Sequence, residues 1–396
     1  MNVLLTLGRL AKGLELARAL ARAGHRVVVA DPFQWHLVKP SNCVAKTYRV
    51  TAPVHNTQAY LEDLRKIVDA EAIDLVIPVS EEALFTSRIG PLLPAHTRLF
   101  GPGFDHMARL HDKLAFAERC REIGLSAPET YRADSPEASA MTLRSDYIVK
   151  PIHGCSGIGV RLNQKGDPLS PEDVNSENLV QTRLYGRQIS SFSIVRDGTV
   201  LATGLYEGDV YLGTVSVRFK RVDDLPDVFE WIETFAKAEA YTGFLSLDFF
   251  VPDTGIPYAI ECNPRLTSGL HLLNPSAVAA MVTDRPVTDP IYRRTTAFQD
   301  AHAALTVAVG SITKPLTYLK LLGKVLITKD VVFDWRDPLP FFFMTPMSWD
   351  TLRQGLFEGI PLADAVTRDI LWHGQTSPNV PNSGVEVSLD DALPER

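Results

Sequence analysis

Two short segments, Leu245-Ser246-Leu247-Asp248-Phe249-Phe250 and Ala259-Ile260-Glu261-Cys262-Asn263-Pro264-Arg265, constrain this chain more than anything else in it. Each alternates with period two, and Val251-Pro252-Asp253-Thr254-Gly255-Ile256-Pro257 between them is turn material, so they should pair as antiparallel strands. Asp248, Glu261 and Asn263 would then project from one face as a compact oxygen cluster, with Arg265 just beyond. Oxygen donors suit a hard cation. Magnesium usually takes one or two carboxylates plus substrate phosphates and leaves the rest of its shell to water, so the cluster predicts a phosphate-bearing ligand. A solvated acidic strand edge is the plainer use of the same residues.

A length of 396 residues suggests two or three domains with ample core. The net charge of -7 gives no general basic footprint, which argues against nucleic acid and makes any phosphate attraction local. Cys43, Cys120, Cys155 and Cys262 are scattered without paired-ligand spacing, which favours a reducing cytoplasm without structural zinc. The apolar start Met1 to Gly8 lacks a basic leader and reads as a buried strand. No run reaches the roughly twenty apolar residues of a membrane span.

Strand and helix patterns alternate through the first ninety or so residues: strands at Val3 to Leu7, Arg26 to Asp31 and Leu75 to Pro78, helices at Ala11 to Ala23 and Thr57 to Ala70. This is a parallel α/β half-domain. Its Gly8-to-Gly13 turn lacks the full dinucleotide fingerprint, so Asp31 is expected beside a tight structural turn rather than a ribose. Pro78-Val79-Ser80-Glu81-Glu82 ends a strand and opens a helix, where ligands gather in open α/β sheets. Glu81 is a candidate for an amine substrate, and an ordinary helix-start acid is its alternative.

One helix is expected from Arg109 to Gly124, carrying Asp112-Lys113. The strand Tyr147 to Pro151 follows, then His153-Gly154-Cys155-Ser156-Gly157-Ile158-Gly159-Val160, whose glycines permit positive backbone angles and close amide donors over a phosphate. Lys150, ending an apolar strand just before that loop, is well placed to meet phosphate as a point charge. Strands at 179–184 and 188–195 join around Gly186, and Val215 to Lys220 puts Arg218 and Lys220 on one face, either as candidate anion contacts or as a solvated strand face. Thr267-Ser268-Gly269-Leu270-His271 could line an acceptor pocket, with His271 a proton acceptor or a packed ring. Beyond about Pro286 prolines and clustered aromatics, as in 333–343, suggest packing within the chain, with a membrane or oligomer contact as the alternative, and the last twenty or so residues read as frayed.

Taken in order, Asp112-Lys113, Val149-Lys150-Pro151, the Gly154-to-Gly159 loop, Asp248 and Glu261-Cys262-Asn263-Pro264-Arg265 resemble the ATP-grasp superfamily over about Met1 to Pro286. The resemblance implies an N-terminal parallel α/β domain at 1–105 and a two-subdomain α+β ATP-grasp fold at 106–286. Within the latter, a glycine-loop part covers about 125–180 and a metal-binding part about 181–286, and a C-terminal extension follows at 287–396. It further implies ATP held by Lys113, Lys150, His153, Gly154, Ser156, Gly157, Gly159, Gln181, Leu184, Gln188, Phe250 and Ile260. Magnesium, with manganese as an alternative, would sit on Asp248, Glu261 and Asn263.

On the same resemblance Arg265, Lys150 and His271 are the catalytic candidates. Glu81, Arg218, Lys220, Arg265, Ser268 and Gly269 are the substrate candidates. Leu14 to Val29, Asp112 to Pro128, Leu245 to Arg265 and Asp337 to Phe341 are similar to mycosporine-glycine synthase and related amino-acid ligases. Thr182 and Gln188 depart from the acidic residues usual at those hinge positions. The implied activity is cytoplasmic, joining a small carboxylate or enol to an amine or amino acid at the expense of ATP, with a homodimer open. Its rivals are a bicarbonate-using carboxylase and a nucleotide-binding module without turnover.

Overall fold

The computed structural model describes residues 1–154, 159–212, 215–301, 304, 315–360 and 365–374. Two compact units divide the chain. One comprises Met1–Phe104, Leu273–Ile291 and Asp330–Arg396, the other Asp105–Leu272 and Tyr292–Lys329. The chain beyond Pro286 therefore contributes to both.

In the first unit β1 (Asn2–Leu5), β2 (Arg26–Asp31), β3 (Lys46–Arg49), β4 (Leu75–Ile77) and β5 (Arg98–Leu99) make an all-parallel sheet ordered β3-β2-β1-β4-β5. Past the first residue of β1 and of β2, its central strands are buried, as expected where helices cover both faces of a parallel sheet. The helices α1 (Ala11–Arg22) and α2 (Thr57–Ala70) follow β1 and β3, with the short α3 (Ala83–Thr86) after β4. Asn56 caps α2 through Ala59 N, leaving Tyr60, Leu61, Leu64, Ile67 and Val68 on the buried face.

The Gly8 turn is structural. Gly8 N donates to Asp31 Oδ2 at 2.9 Å, and the Arg9 guanidinium bridges Asp31 (2.6 Å) and Asp369 (2.7 Å) while lying 3.4 Å over the Phe33 ring. Asp31 is fully buried in that work. Asp337, 1% exposed, accepts from Arg18 Nε (2.8 Å), Ser41 Oγ (2.7 Å) and Asn42 N (2.9 Å), fastening late chain to α1 and the loop after β2. The expected inward packing of the nearby aromatics holds for part of the cluster. Phe333 and Phe341 meet edge to face at 5.2 Å, but Trp335 and Phe342 remain largely exposed.

In the second unit the expected single helix is two. Asp112 breaks it, ending α4 (Phe104–His111) and capping α5 (Lys113–Glu122) by accepting from Leu114 N and Ala115 N, both at 2.9 Å. An aspartate competes better as a cap than as a helix interior residue. After β6 (Thr130–Arg132) and α6 (Pro136–Thr142), strands β7 (Tyr147–Pro151), β8 (Arg161–Asn163) and β9 (Asn178–Thr182) complete an antiparallel sheet ordered β6-β9-β7-β8. Gly186, at φ +143°, then passes the chain to a second sheet, so 178–182 and 187–196 are not a hairpin.

That larger sheet contains β10 (Arg187–Arg196), β11 (Thr199–Leu212), β12 (Val215–Val222), β13 (Gly243–Val251), β14 (Tyr258–Asn263) and β15 (Ala297–Gln299), in the order β14-β13-β10-β11-β12-β15. The helix α7 (Pro226–Ala238) covers one face. Trp231, Ile232 and Phe235 pack with Leu245, Leu247 and Phe249 of β13 and with Phe116 of α5. The opposite face of β13 and β14 is left for polar side chains. The helix α8 (Pro275–Val282), capped by Asn274, returns the chain to the first unit.

Candidate active site

Strand pairing builds the polar cluster. Asp248 lies opposite Glu261 and Ser246 opposite Asn263 across β13 and β14, while Ser190 of β10 lies opposite Asp248 on the other side. The register shifts between Asp248 and Phe249, because Phe249 pairs with Ala259 and Ile260 is the extra residue. This bulge lets Ala259 and Cys262 enter the hydrophobic core while Glu261 stays on the polar face. It also turns out the Ile260 carbonyl, which accepts from Lys150 Nζ at 3.3 Å.

Asn263 Nδ2 donates to Asp248 Oδ2 (3.2 Å) and Glu261 Oε1 (3.1 Å), so all three side chains converge. Arg265 Nη2 donates to Asn263 Oδ1 at 3.0 Å, and Ser190 Oγ donates to Asp248 Oδ1 at 2.6 Å. Lys113, the first residue of α5, reaches Glu261 Oε2 at 3.8 Å and donates to the Gly154 carbonyl at 2.7 Å. Lys150 shares the side of β7 opposite Tyr147 and Val149, which are in the small core of the first sheet of this unit. Both lysines are buried.

The charges are mutually dependent. Burial would raise the Glu261 carboxyl, but Lys113 and Lys150 outweigh it and hold this group well below the usual carboxylate range. Asp248 moves the other way, raised by burial and then by the charge of Glu261. Burial lowers the Lys150 ammonium to about 8 despite the two carboxylates, with Lys113 adding to the fall. Two carboxylates that repel one another are a hard-oxygen pair that a divalent cation would relieve, and the Asn263 amide, whose Nδ2 faces them while its Oδ1 accepts from Arg265, would add an oxygen donor on turning over. Among the described residues no group of three or more His, Cys, Asp or Glu gathers to hold a metal, so the two carboxylates would take their further donors from the Asn263 amide, the Ser190 hydroxyl or water. The set fits magnesium.

The other candidates are distributed as follows. His153 stacks on His111, ring centres 6.5 Å apart, with Nε2 3.7 Å from Asp112. Gly154 and Gly159 take φ of +150° and +77° at the loop ends, while Ser156 and Gly157 lie outside the described residues. Gln181 is buried with its amide donating to Thr130 Oγ1 at 2.8 Å, and Leu184 is half-buried. Gln188 is exposed opposite Phe250 on β10 and β13, and Phe250 and Ile260 are both half-buried. Arg218 is engaged by Asp209 and by Thr328, and Lys220 is exposed. Glu81 is buried in the first unit, where its neighbour Glu82 caps the Val79 and Ser80 amides.

Ser268 is half-buried. Gly269 is buried so closely that a Cβ would meet Phe192 and come within 2.8 Å of Tyr206 Cε1. His271 is 2% exposed and stacks on Phe219 at 5.9 Å, which is a packed ring rather than one facing an open pocket. Sequence reasoning missed Ser190, whose place beside Asp248 needs the β10 register, and Tyr206, buried beside Ser190, Thr267 and Asp248. No local signal marks either.

Residues 110–269, which hold this whole cluster, match the ATP-grasp domain family. The chain carries an ATP-grasp domain. Curated relatives include the carbamoyl phosphate synthase large chains of Thermus thermophilus, 25% identical over 319 residues (72% of this chain, 29% of the relative), and of Archaeoglobus fulgidus, 24% identical over 312 residues (69% and 27%). The chain thus spans less than a third of the length of these relatives. Similar solved structures include the biotin carboxylase domain of Hydrogenobacter thermophilus 2-oxoglutarate carboxylase bound to MgADP and bicarbonate (TM-score 0.59, 13% identity, 75% of this chain and 73% of that one).

N5-carboxyaminoimidazole synthetase from Staphylococcus aureus complexed with ADP (TM-score 0.57, 16%, 73% and 78%) and L-amino acid ligase from Bacillus licheniformis (TM-score 0.55, 14%, 71% and 74%) share the fold as well. These likenesses establish the ATP-grasp fold. They do not extend to the finer resemblance to mycosporine-glycine synthase. Among the described residues no helix is long and apolar enough to cross a membrane.

Proposed function

We propose that this ATP-grasp domain is an ADP-forming, magnesium-dependent ligase that phosphorylates a small carboxylate or enol and couples it to an amine or amino acid. The observation that carries this reading is the convergence of Asp248, Glu261 and Asn263 with two buried lysines, one of them 3.8 Å from Glu261. A bound divalent ion would supply charge neutralisation at the phosphate oxygens. Lys113 and Lys150 would bind phosphate as fixed charges, and their burial excludes competing water. Arg265, whose guanidinium is held by Asn263, would present its planar fork to the phosphoryl group in transit.

A carboxylate or enol oxygen is a poor leaving group, and phosphorylation makes it a good one. The amine then attacks the activated carbon, forming a C–N bond and breaking the C–O bond to the phosphate, which departs with its electron pair. Phosphoryl transfer needs positioning and charge more than covalent help from the protein, and fixed charge is what this cluster offers. Gln188 and Thr182, in place of the usual acids, would leave the ribose with neutral partners.

The test is ADP release across paired acids and amines, followed by mass analysis of the product. Amine-dependent ADP release with a dehydrated adduct supports the ligase. Bicarbonate-dependent release without an amine makes it a carboxylase, and nucleotide binding without release on any pair makes it a binding module.

A further inference from the structure

A polar row crosses the larger sheet. In register, Glu261 of β14 lies opposite Asp248 of β13, Asp248 opposite Ser190 of β10, and Ser190 opposite Tyr206 of β11. Residues directly opposite one another in antiparallel strands share a face, so these side chains stand side by side on one surface of the sheet. Tyr206 is buried and Ser190 half-buried.

The two oxygens of Asp248 have different surroundings. Oδ2 accepts from Asn263 Nδ2 at 3.2 Å, and the same amide reaches Glu261 Oε1 at 3.1 Å, so Oδ2 is on the side of the cluster. Oδ1 is on the side of β10, where Ser190 Oγ donates to it at 2.6 Å. An aspartate carboxylate turns broadly about its last torsion unless a fixed partner holds it. Ser190 is fixed. The pairing of β10 with β13 runs to Ser190 and Asp248 and resumes at Ser193 and Leu245. Between them the Ser191 hydroxyl, 1% exposed, accepts from Leu247 N and donates to Leu247 O, both at 3.0 Å. Neighbouring serines thus hold β13 in two ways, Ser191 by the main chain beside Asp248 and Ser190 by the carboxylate itself. The short bond commits the Ser190 proton to Oδ1, so of the donors open to an ion this serine is the one that acts through Asp248. A ligating group held by an outer hydrogen bond keeps its orientation for the ion, and affinity falls when that bond is removed. On the reading of this cluster as a magnesium site, on which the step depends, we infer that Ser190 is a positioning residue whose hydroxyl turns the Asp248 carboxylate so that Oδ2 is presented to a divalent cation.

Titration calorimetry of ADP into the full chain, in excess manganese(II) and again in chelator, tests this without turnover. The gain in ADP affinity that manganese brings reports the ion on the protein, and Glu261→Gln should lose it. Ser190→Ala and Ser190→Val should each weaken ADP in manganese about tenfold and leave the affinity in chelator unchanged. Ser190→Thr, which has the shape of the valine variant but keeps the hydroxyl, should bind as the parent does. The inference alone is overturned if the alanine and valine variants match the parent in manganese, if they weaken ADP equally in chelator, or if the threonine variant loses as much as the valine one. A parent in which manganese brings no gain, or in which Glu261→Gln leaves the gain intact, overturns the magnesium reading of the cluster and the inference with it.

Discussion

Glu261 and Lys150 are the residues on which the proposed chemistry turns, and each can be changed with little disturbance of shape. We predict that Glu261→Gln keeps the fold and lowers turnover by about 100-fold or more, since the divalent ion that would neutralise phosphate charge loses one of its two carboxylate ligands. Undiminished ADP formation at limiting magnesium would refute that role. Lys150→Ala should raise the ATP concentration needed for half-saturation about tenfold or more. An unchanged requirement would assign the lysine to the architecture, where its bond to the Ile260 carbonyl at 3.3 Å already gives it a place. Asp248, Glu261, Asn263 and Arg265 could be chosen from the sequence because their residue types and spacing narrow the chemistry. Ser190 and Tyr206 could not, since a serine or tyrosine in a strand announces nothing until its neighbour across the sheet is known.

Among the elements, α5 shows how a local rule places a functional group. Asp112 satisfies the amides of Leu114 and Ala115, and that cap makes Lys113 the first residue of the helix. Asp112→Ala is predicted to cost about 1 kcal/mol, seen as a fall of a few degrees in melting temperature. It should weaken nucleotide saturation more than so small a loss implies, because Lys113 is released with it. A melt unchanged within error would remove the cap from the account. The turn of helix at Ser268–Leu272 depends on close packing instead. A side chain at Gly269 collides with Phe192 and Tyr206, so Gly269→Val should destabilise by roughly 1–3 kcal/mol in urea unfolding. A neutral result would mean that this segment can move off the sheet.

At the scale of the whole molecule, distant chain segments close the first unit through buried charge. Arg9 joins Asp31 to Asp369, and Asp369→Ala leaves a buried guanidinium with one carboxylate where it had two. A loss of about 1–3 kcal/mol is expected, less than for a buried charge stripped of every partner, and equal denaturation midpoints would contradict it. His36 gives the same unit an acid sensitivity. Burial, opposed by Asp31 and aided by Lys39 and Arg9, lowers its pKa from 6.5 to about 4. The unfolded chain therefore takes up this proton first as pH falls. Stability is complete above about 6.5 and is lost through the interval down to about 4, by up to about 3 kcal/mol. Denaturation midpoints measured across that interval should fall, and His36→Gln should flatten the slope; an equal slope in the variant would clear His36.

What the amino-acid sequence determined by itself was local and periodic. Alternation at two and near 3.6 set most strands and helices, and the crowding of oxygen side chains near the β13 and β14 hairpin marked the polar face. The tertiary structure alone decided the bulge at Ile260, which turns Glu261 toward the lysines while Ala259 enters the core, and the strand order that brings Ser190 beside Asp248. It also decided that Arg218 is spent on Asp209 and that His271 is packed against Phe219. The reason is physical. Periodicity reports which side of an element meets water or core, an average property of neighbours in sequence, whereas register and pairing depend on residues many positions away that meet only once the chain has closed on itself.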